Sequence, residues 1–464
     1  MRSKPNAALP GSERATILPT LALLVLIFTS NSVPLRGQEQ ASPAPQQRSG
    51  LQLLNVSGYA AYYSNGLPTS GGLQPGTVNL ASDVAEGGSA LIGWSKFTDR
   101  STFAMTYSPS YTGRVRYSSL DALNHAFSLN TTAKIAPRWT FSFSVRADLS
   151  SLEQILFSPT TLSNVASTPA TFDNLSAAVT GAKFTNPQLA AALTSAPLVE
   201  SPLGTLLYGQ RMFTSGAQTS LSYSASPRLS ITFEAGGNRT QHVSESNSVA
   251  QNTFLVPDTT SGTGGIAVSY SLSPFTQLGG SVNAGRISSR LYDFYTTTSL
   301  VTLGHTFGRR WFMQVHGGVG VTNSVQQTFS IPSKPLPAGG GSLGFKTLSS
   351  TVLGSFDRSV SDSYGLGAAS TSSATVAWRW ARPNRAWSFE SSVSWQQLQG
   401  NTLANTSGWQ LAIGAGRKLG PHLALLTQYT YLNYSGGLTT GVYSLSQSAA
   451  RVSLVWSPQT ALPQ

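Results

Sequence analysis

Residues 134–146, KIAPRWTFSFSVR, place a large apolar side chain at every second position after a Pro-Arg turn. The apolar set is Trp139, Phe141, Phe143 and Val145, and the hydroxyl set between them is Thr140, Ser142 and Ser144. In a β-strand these two sets point to opposite faces. A soluble sheet accounts for the pattern if the apolar face packs on a core. A transmembrane barrel accounts for it with apolar side chains toward lipid and hydroxyls toward a wet lumen.

The composition favours an exported membrane protein built from strands. Only 10% of the 464 residues are charged, whereas about 25% is usual in soluble proteins. The mean hydropathy is −0.04, and no apolar run of about 18 residues follows the N-terminal region, which excludes a bundle of transmembrane helices. The absence of cysteine fits an exported bacterial protein without disulfides.

The N-terminus predicts an export signal. A basic segment precedes an apolar run at 15–30, which is short and weakly flanked for a membrane-spanning helix. We therefore expect a secretory signal peptide at 1–32, with an uncleaved anchor as the alternative. The Pro/Gln-rich residues 33–49 are expected to be a disordered lead-in.

The opening pattern recurs after other short turns. Segments 225–234 (ASPRLSITFE), 307–321 (FGRRWFMQVHGGVGV) and 382–395 (RPNRAWSFESSVSW) all place alternating apolar residues after a Pro or Gly turn. Alternation at 101–117 is longer than the five or six residues typical of soluble strands. It is long enough for a tilted strand that crosses a membrane, which needs about 9 to 11 residues.

The connections between these hairpins are long and irregular, at 66–87, 153–205, 245–262, 325–340 and 436–445. Short turns on one side and long loops on the other resemble the bacterial outer-membrane β-barrels of the porin type. The resemblance covers residues 50–457 and implies an all-β fold: a single transmembrane antiparallel up-and-down barrel with short periplasmic turns and long external loops. Residues 458–464 form a C-terminal tail.

The pattern gives about 18 strands. They are expected at 51–64, 88–98, 101–117, 122–136, 138–150, 206–225, 228–243, 263–273, 275–288, 295–307, 309–324, 341–348, 350–361, 370–381, 386–399, 406–419, 422–434 and 446–457. The turn near residues 348–350 is inferred from the need for the chain to return. Without that turn the count falls to 16.

The loop at 153–205 contains two segments that can form short helices. Its position after the fifth strand resembles the constriction loop of general porins, which folds into the lumen. An external cap or a subunit contact is the competing interpretation.

Aromatic residues beside the short turns predict a girdle at the membrane interface: Trp139, Trp311, Trp380 and Trp387. A turn centred on residues 383 and 384 pairs Trp380 with Trp387 and Trp378 with Phe389. The alternative is a tryptophan pair in a soluble sheet.

Most charged strand residues share the Ser/Thr face. These candidates for lining the lumen are Arg114, Arg116, Lys134, Arg146, Asp148, Glu234, Arg379 and Glu390. An Arg facing lipid at mid-membrane costs about 2 to 4 kcal/mol, which agrees with this assignment. The predicted register puts Ala377 opposite Glu390, with Arg379 diagonal to it. The Arg379 and Glu390 side chains then either contribute a transverse field or form a salt bridge in the wall.

No catalytic chemistry is expected. The sequence has no metalloprotease, nucleophile-elbow or P-loop motif, and its five histidines lack metal-ligand spacing, so no enzyme, metal or cofactor is predicted. Its net charge is +12, but the basic residues are scattered, which argues against nucleic-acid binding.

Two functions remain open for an outer-membrane barrel. One is a porin-like channel for passive diffusion of small hydrophilic solutes. The other is a structural or adhesive barrel whose external loops bind a partner. The expected partners are outer-membrane lipid and the barrel assembly machinery, and a homo-oligomer is left open. A soluble secreted β-protein is a third interpretation.

Overall fold

A computed structural model describes residues 50–64, 82–116, 121–151, 211–243, 258–289, 292–308, 310–327, 335–347, 349–362, 368–381, 386–400, 405–420, 422–438 and 441–458. The predicted signal peptide, the lead-in, the loop at 153–205 and the tail beyond 458 lie outside these residues. The described residues belong to one compact unit, Arg48–Gln464. Among them, no helix has the length and apolar character needed to cross a membrane.

Eighteen strands make up the described chain. The first nine are β1 (Gly50–Tyr63), β2 (Asp83–Phe97), β3 (Ser101–Arg114), β4 (Ala122–Ala136), β5 (Trp139–Ser151), β6 (Arg211–Ser224), β7 (Leu229–Val243), β8 (Thr259–Ser273) and β9 (Thr276–Ser289). The other nine are β10 (Tyr292–Phe307), β11 (Trp311–Gln327), β12 (Leu336–Lys346), β13 (Ser350–Asp362), β14 (Ala368–Ala381), β15 (Trp387–Gly400), β16 (Asn405–Lys418), β17 (Leu423–Leu438) and β18 (Gly441–Trp456).

Each strand pairs antiparallel with the next, and β1 pairs with β18, so the sheet closes into a barrel. The predicted all-β, up-and-down barrel of 18 strands is confirmed. The inferred turn is also present, because β12 ends at Lys346, β13 begins at Ser350, and the Thr347 N–H donates to the Ser350 carbonyl at 2.7 Å. The count of 16 is therefore wrong.

Closure divides the side chains into an inner face, which points into the barrel, and an outer face. The outer face carries large exposed apolar residues such as Val319, Val393 and Ile413, which are 49%, 40% and 50% exposed. Among the described residues, Phe294 is the only large side chain that is fully buried. The apolar face therefore does not pack into a dry core, as a soluble sandwich requires.

The two ends of the barrel differ in their connections. At one end the breaks between strands are short, at 98–100, 137–138, 225–228, 274–275, 308–310, 347–349, 382–386 and 419–422. At the other end they vary widely, and the longest is 152–210. The expected long loop at 436–445 is wrong. There, β17 and β18 stay paired as far as Leu438 and Gly441, because Gly436 lies opposite Tyr443 and continues the ladder.

The register of β14 and β15 also differs from the prediction. Trp380 pairs with Phe389 instead of Trp387, and Glu390 pairs directly with Arg379 instead of Ala377. The cause is a longer turn, because β14 ends at Ala381 and β15 begins only at Trp387. The shift is two residues, so each side chain keeps its predicted face.

Candidate functional site: the inner face of the barrel

Hydroxyl groups cover much of the inner face and bond to each other across strands. Thr106 on β3 and Ser128 on β4 are 2.6 Å apart at their hydroxyl oxygens, and Ser230 on β7 and Ser269 on β8 are also 2.6 Å apart. Each hydroxyl both donates and accepts hydrogen bonds. This wall therefore suits water and hydroxylated molecules.

A buried ion pair lies where β2 begins and β3 ends. Arg114 Nη1 donates to Asp83 Oδ2 at 3.0 Å, and the two side chains are 2% and 0% exposed. The Arg114 guanidinium also lies 4.9 Å from the centre of the Tyr63 ring. Arg116 lies beyond the end of β3, where its backbone N–H donates to Asp83 Oδ1 and its guanidinium to the Ser82 carbonyl.

Arg146 and Asp148 share the inner face of β5, two residues apart, and the carboxylate acts electrostatically on the guanidinium. Lys134 lies exposed near the other end of the barrel, where it pairs with Thr140 beside the turn at 137–138. The structure therefore separates Lys134 from the other predicted charges of this region along the barrel axis.

Glu234 on β7 is exposed on the inner face and pairs with Gly265 on β8. On the other side of Gly265 lies Asn283, whose Oδ1 occupies the space that a Cβ at residue 265 would take. The glycine thus leaves room for an amide oxygen beside the carboxylate. Both groups can accept hydrogen bonds.

Arg379 and Glu390 lie directly opposite each other on β14 and β15, and the Arg379 charge acts on the Glu390 carboxylate. The Glu390 side chain extends over Gly414 on β16, where a Cβ would approach its Cγ to 2.9 Å. Glycine at residue 414 is what allows the acidic side chain to lie flat on the wall.

A His–Asp pair was missed by the sequence reasoning. His316 Nε2 on β11 lies 3.0 Å from Asp357 Oδ1 on β13, and Gly340 of the intervening strand β12 separates their backbones. A Cβ at residue 340 would lie 3.1 Å from Asp357 Oδ1. The signal for this pair in the sequence was the glycine run at 339–341. It leaves part of β12 without side chains between His316 and Asp357.

A second missed residue is Arg451 on β18. Its guanidinium carbon lies 3.8 Å from the centre of the Tyr59 ring, and its Nε donates to Ser453 at 3.1 Å. Tyr59 in turn shares a hydrogen bond with Thr112. This cluster spans the seam between β18 and β1 and continues to β3.

The outer face carries aromatic pairs near the short turns. Three of the predicted tryptophans have a neighbour on the adjacent strand: Trp139 with Tyr223 at 4.7 Å, Trp311 with Phe345 at 4.6 Å, and Trp380 with Phe389 at 5.7 Å between ring centres. The fourth, Trp387, has the Arg417 guanidinium over its ring at 5.3 Å.

A further aromatic row lies nearer the other end of the barrel and was not predicted. Trp395 pairs with Trp409, whose ring centre is 4.9 Å from that of Tyr431. On β15 and β16, Gln397 opposite Ser407 follows this row on the outer face. The outer face of β15 thus carries aromatic residues beside the short turn, at Trp387, and again farther along the strand, at Trp395.

The described residues form a closed 18-stranded antiparallel barrel with an apolar outer face and a hydroxyl-rich inner face. Within the ranges given above, no three His, Cys, Asp or Glu residues form a group that could hold a metal ion. No protein-family model matches the sequence, and no curated protein matches it significantly.

Several solved structures have a similar outline. OccAB4 of Acinetobacter baumannii is 12% identical with a TM-score of 0.42, and the alignment covers 89% of this chain and 99% of that chain. A BenF-like porin from Pseudomonas fluorescens Pf-5 is 10% identical with a TM-score of 0.40, covering 88% and 98%. OccK2 of Pseudomonas aeruginosa, solved with glucuronate, is 9% identical with a TM-score of 0.42, covering 89% and 100%.

Proposed function

We propose that this protein is a porin-like channel of the bacterial outer membrane, through which small hydrophilic solutes diffuse passively. The observation that carries the proposal is the closed ring of 18 strands with exposed apolar residues outside and hydroxyls inside. A ring of this size is too wide for wall side chains to fill, and barrels of 16 to 18 strands typically enclose a water-filled channel.

The outer face supports a membrane location. On β15, Trp387 and Trp395 are 46% and 37% exposed and mark the two aromatic rows. At about 3.3 Å per residue and a tilt of about 40°, the distance between them corresponds to roughly 20 Å of barrel height. That height is close to the apolar band of about 25 Å in outer-membrane barrels. We assign Trp139, Trp311, Trp380 and Trp387 to the periplasmic girdle.

Export and assembly complete the proposal. The signal peptide at 1–32 directs the chain across the inner membrane, and the assembly machinery inserts the barrel formed by residues 50–457. The predicted charged residues of the inner face other than the buried Arg114 then contact the permeating solution.

The test uses the full chain, refolded into detergent and then inserted into planar bilayers. We expect stepwise conductance and a folded form that migrates faster on gels before heating than after. A heat-modifiable protein without conductance would contradict the channel and favour a structural or adhesive barrel. A protein that fractionates away from the outer membrane would contradict the location as well.

A further inference from the structure

We infer that the lumen admits uncharged, hydroxyl-rich solutes, such as sugars and polyols, in preference to ions of either sign. This inference rests on the proposed channel function and names its class of solute. The net charge of +12 alone would suggest a preference for anions. The placement of the charges leads to a different conclusion.

Most of the 29 basic residues are not on the described inner face. Seven inner positions carry Lys or Arg: Arg114, Lys134, Arg146, Lys346, Arg379, Lys418 and Arg451. The three lysines lie at the ends of β4, β12 and β16, beside short turns. The other four are arginines, and one of them, Arg379, also lies near that mouth, two residues before β14 ends.

Five acidic residues share this wall with the four arginines: Asp83, Asp148, Glu234, Asp357 and Glu390. Without the three lysines at the mouth, four arginines and five acidic residues give −1, and with the lysines seven basic and five acidic residues give +2. The described inner wall thus carries a small net charge, although the chain as a whole is strongly basic.

The charges are also arranged in pairs. Arg114 contacts Asp83 at 3.0 Å, Arg146 interacts with Asp148, and Arg379 lies opposite Glu390. The field of such a pair falls off faster than that of a single charge, and salt screens charges beyond about 8 Å at physiological ionic strength. An ion in the lumen therefore meets little net attraction.

Two charged side chains, Arg451 and Glu234, do not belong to these three pairs and lie on well-separated strands, β18 and β7. Arg451 lies on the Tyr59 ring on β18, and Glu234 is exposed beside Asn283 on the β7 to β9 wall. A guanidinium donates hydrogen bonds and a carboxylate accepts them. The hydroxyl groups of a polyol both donate and accept hydrogen bonds. A polyol in the lumen can therefore exchange its hydrogen bonds to water for hydrogen bonds to these two side chains and to the hydroxyl groups of the wall.

Three probes of similar size separate the solute classes: glucose, gluconate and glucosamine, which are neutral, anionic and cationic at neutral pH. In vesicles loaded with the refolded protein, we expect glucose to enter at least about twofold faster than either charged probe. Under an about tenfold KCl gradient, we expect anion and cation permeabilities within about twofold of each other. Faster entry of gluconate, or strong anion selectivity, would overturn the inference.

The Arg379–Glu390 pair provides the internal test. Glu390→Gln leaves an uncompensated guanidinium, so the reversal potential should shift toward anions, and Arg379→Gln should shift it toward cations. Glu86→Gln is the matched control, because Glu86 is exposed on the outer face of β2. Heat-modifiable migration verifies that each variant is folded.

Opposite shifts in the two inner variants, with no shift in the control, support the charge-balanced wall. Folded, conducting inner variants with the wild-type reversal potential would overturn it. Absence of conductance in the wild-type protein is a different result, because it contradicts the channel itself.

Discussion

At the scale of single residues, burial determines which charges matter for stability. Asp83 and Arg114 are almost completely removed from solvent, whereas Arg286 and Asp293 form an ion pair on the outer face with side chains 54% and 13% exposed. An exposed pair contributes little, because water and salt screen it. Removing one partner of a buried pair leaves a charge without compensation.

We expect Asp83→Asn to lower the free energy of unfolding by about 3 to 5 kcal/mol, because it leaves the buried Arg114 charge unpaired. Urea titration in lipid vesicles measures the change. Asp293→Asn makes the same chemical substitution in the partly exposed pair, whose guanidinium donates two hydrogen bonds to the carboxylate, and should lower the free energy of unfolding by no more than about 1 kcal/mol. Equal losses in the two variants would show that burial is not the cause.

The sequence predicted the faces of charged residues better than their partners. Side-chain parity assigned Arg379 and Glu390 to one face, and the structure keeps them there. The contact between His316 and Asp357 depends on two registers at once, from β11 to β12 and from β12 to β13. Alternation in one strand contains no information about either register, so it could not identify this pair, and only the glycine run at 339–341 pointed to it.

At the scale of strands, the alternation in β15 makes adjacent residues face different surroundings. Val393 is 40% exposed on the outer face, and its neighbour Ser394 points inward, where it pairs with Gln410. The fold prediction succeeded for such strands because this alternation is unaffected by neighbouring strands. The two-residue error at Trp380 and Phe389 arose where β15 begins, at Trp387 instead of residue 386, because alternation does not specify the length of the connection between two strands.

Placing arginine at these two positions tests the assignment of faces. Val393→Arg should lower the free energy of unfolding in lipid vesicles by about 1 to 3 kcal/mol, because the guanidinium would lie in the apolar part of the membrane, between its middle and the aromatic row at Trp395. Ser394→Arg should be folded with nearly wild-type stability, because its charge would remain in water. A greater loss for Ser394→Arg would reverse the faces of β15.

At the scale of the whole molecule, closure depends on the pairing of β1 with β18. Their register places Ala60 opposite Val452 and Tyr62 opposite Ala450. The number of strands could be predicted because each strand is a local pattern. Closure was expected from the resemblance to porin-type barrels, but the register of the seam was not predicted, because it joins segments from the two ends of the chain and alternation within a strand does not specify it.

The protein has no cysteine, so a disulfide between two introduced cysteines joins only those two positions and tests the closure of the barrel. Ala60→Cys with Val452→Cys should form a disulfide after folding, because directly opposed strand residues have the Cα spacing that a disulfide needs. The crosslink is measured by the altered gel migration of the unfolded chain and its reversal by reductant.

Ala60→Cys with Ala450→Cys is the matched control, since its residues are diagonal and farther apart. We expect it to crosslink much more slowly. Efficient crosslinking of the diagonal pair alone would show that the seam has a different register.

The ladder that closes the ring is also a short one. It covers Val56–Tyr63 of β1, whereas the ladder between β17 and β18 covers Leu423–Leu438. Bringing such distant parts of the chain together carries a larger entropic cost than forming a hairpin, and fewer backbone hydrogen bonds offset that cost here. The pairing of β1 with β18 should therefore form last during biogenesis and break first under denaturant. Both processes should pass through an opened sheet with two free edges.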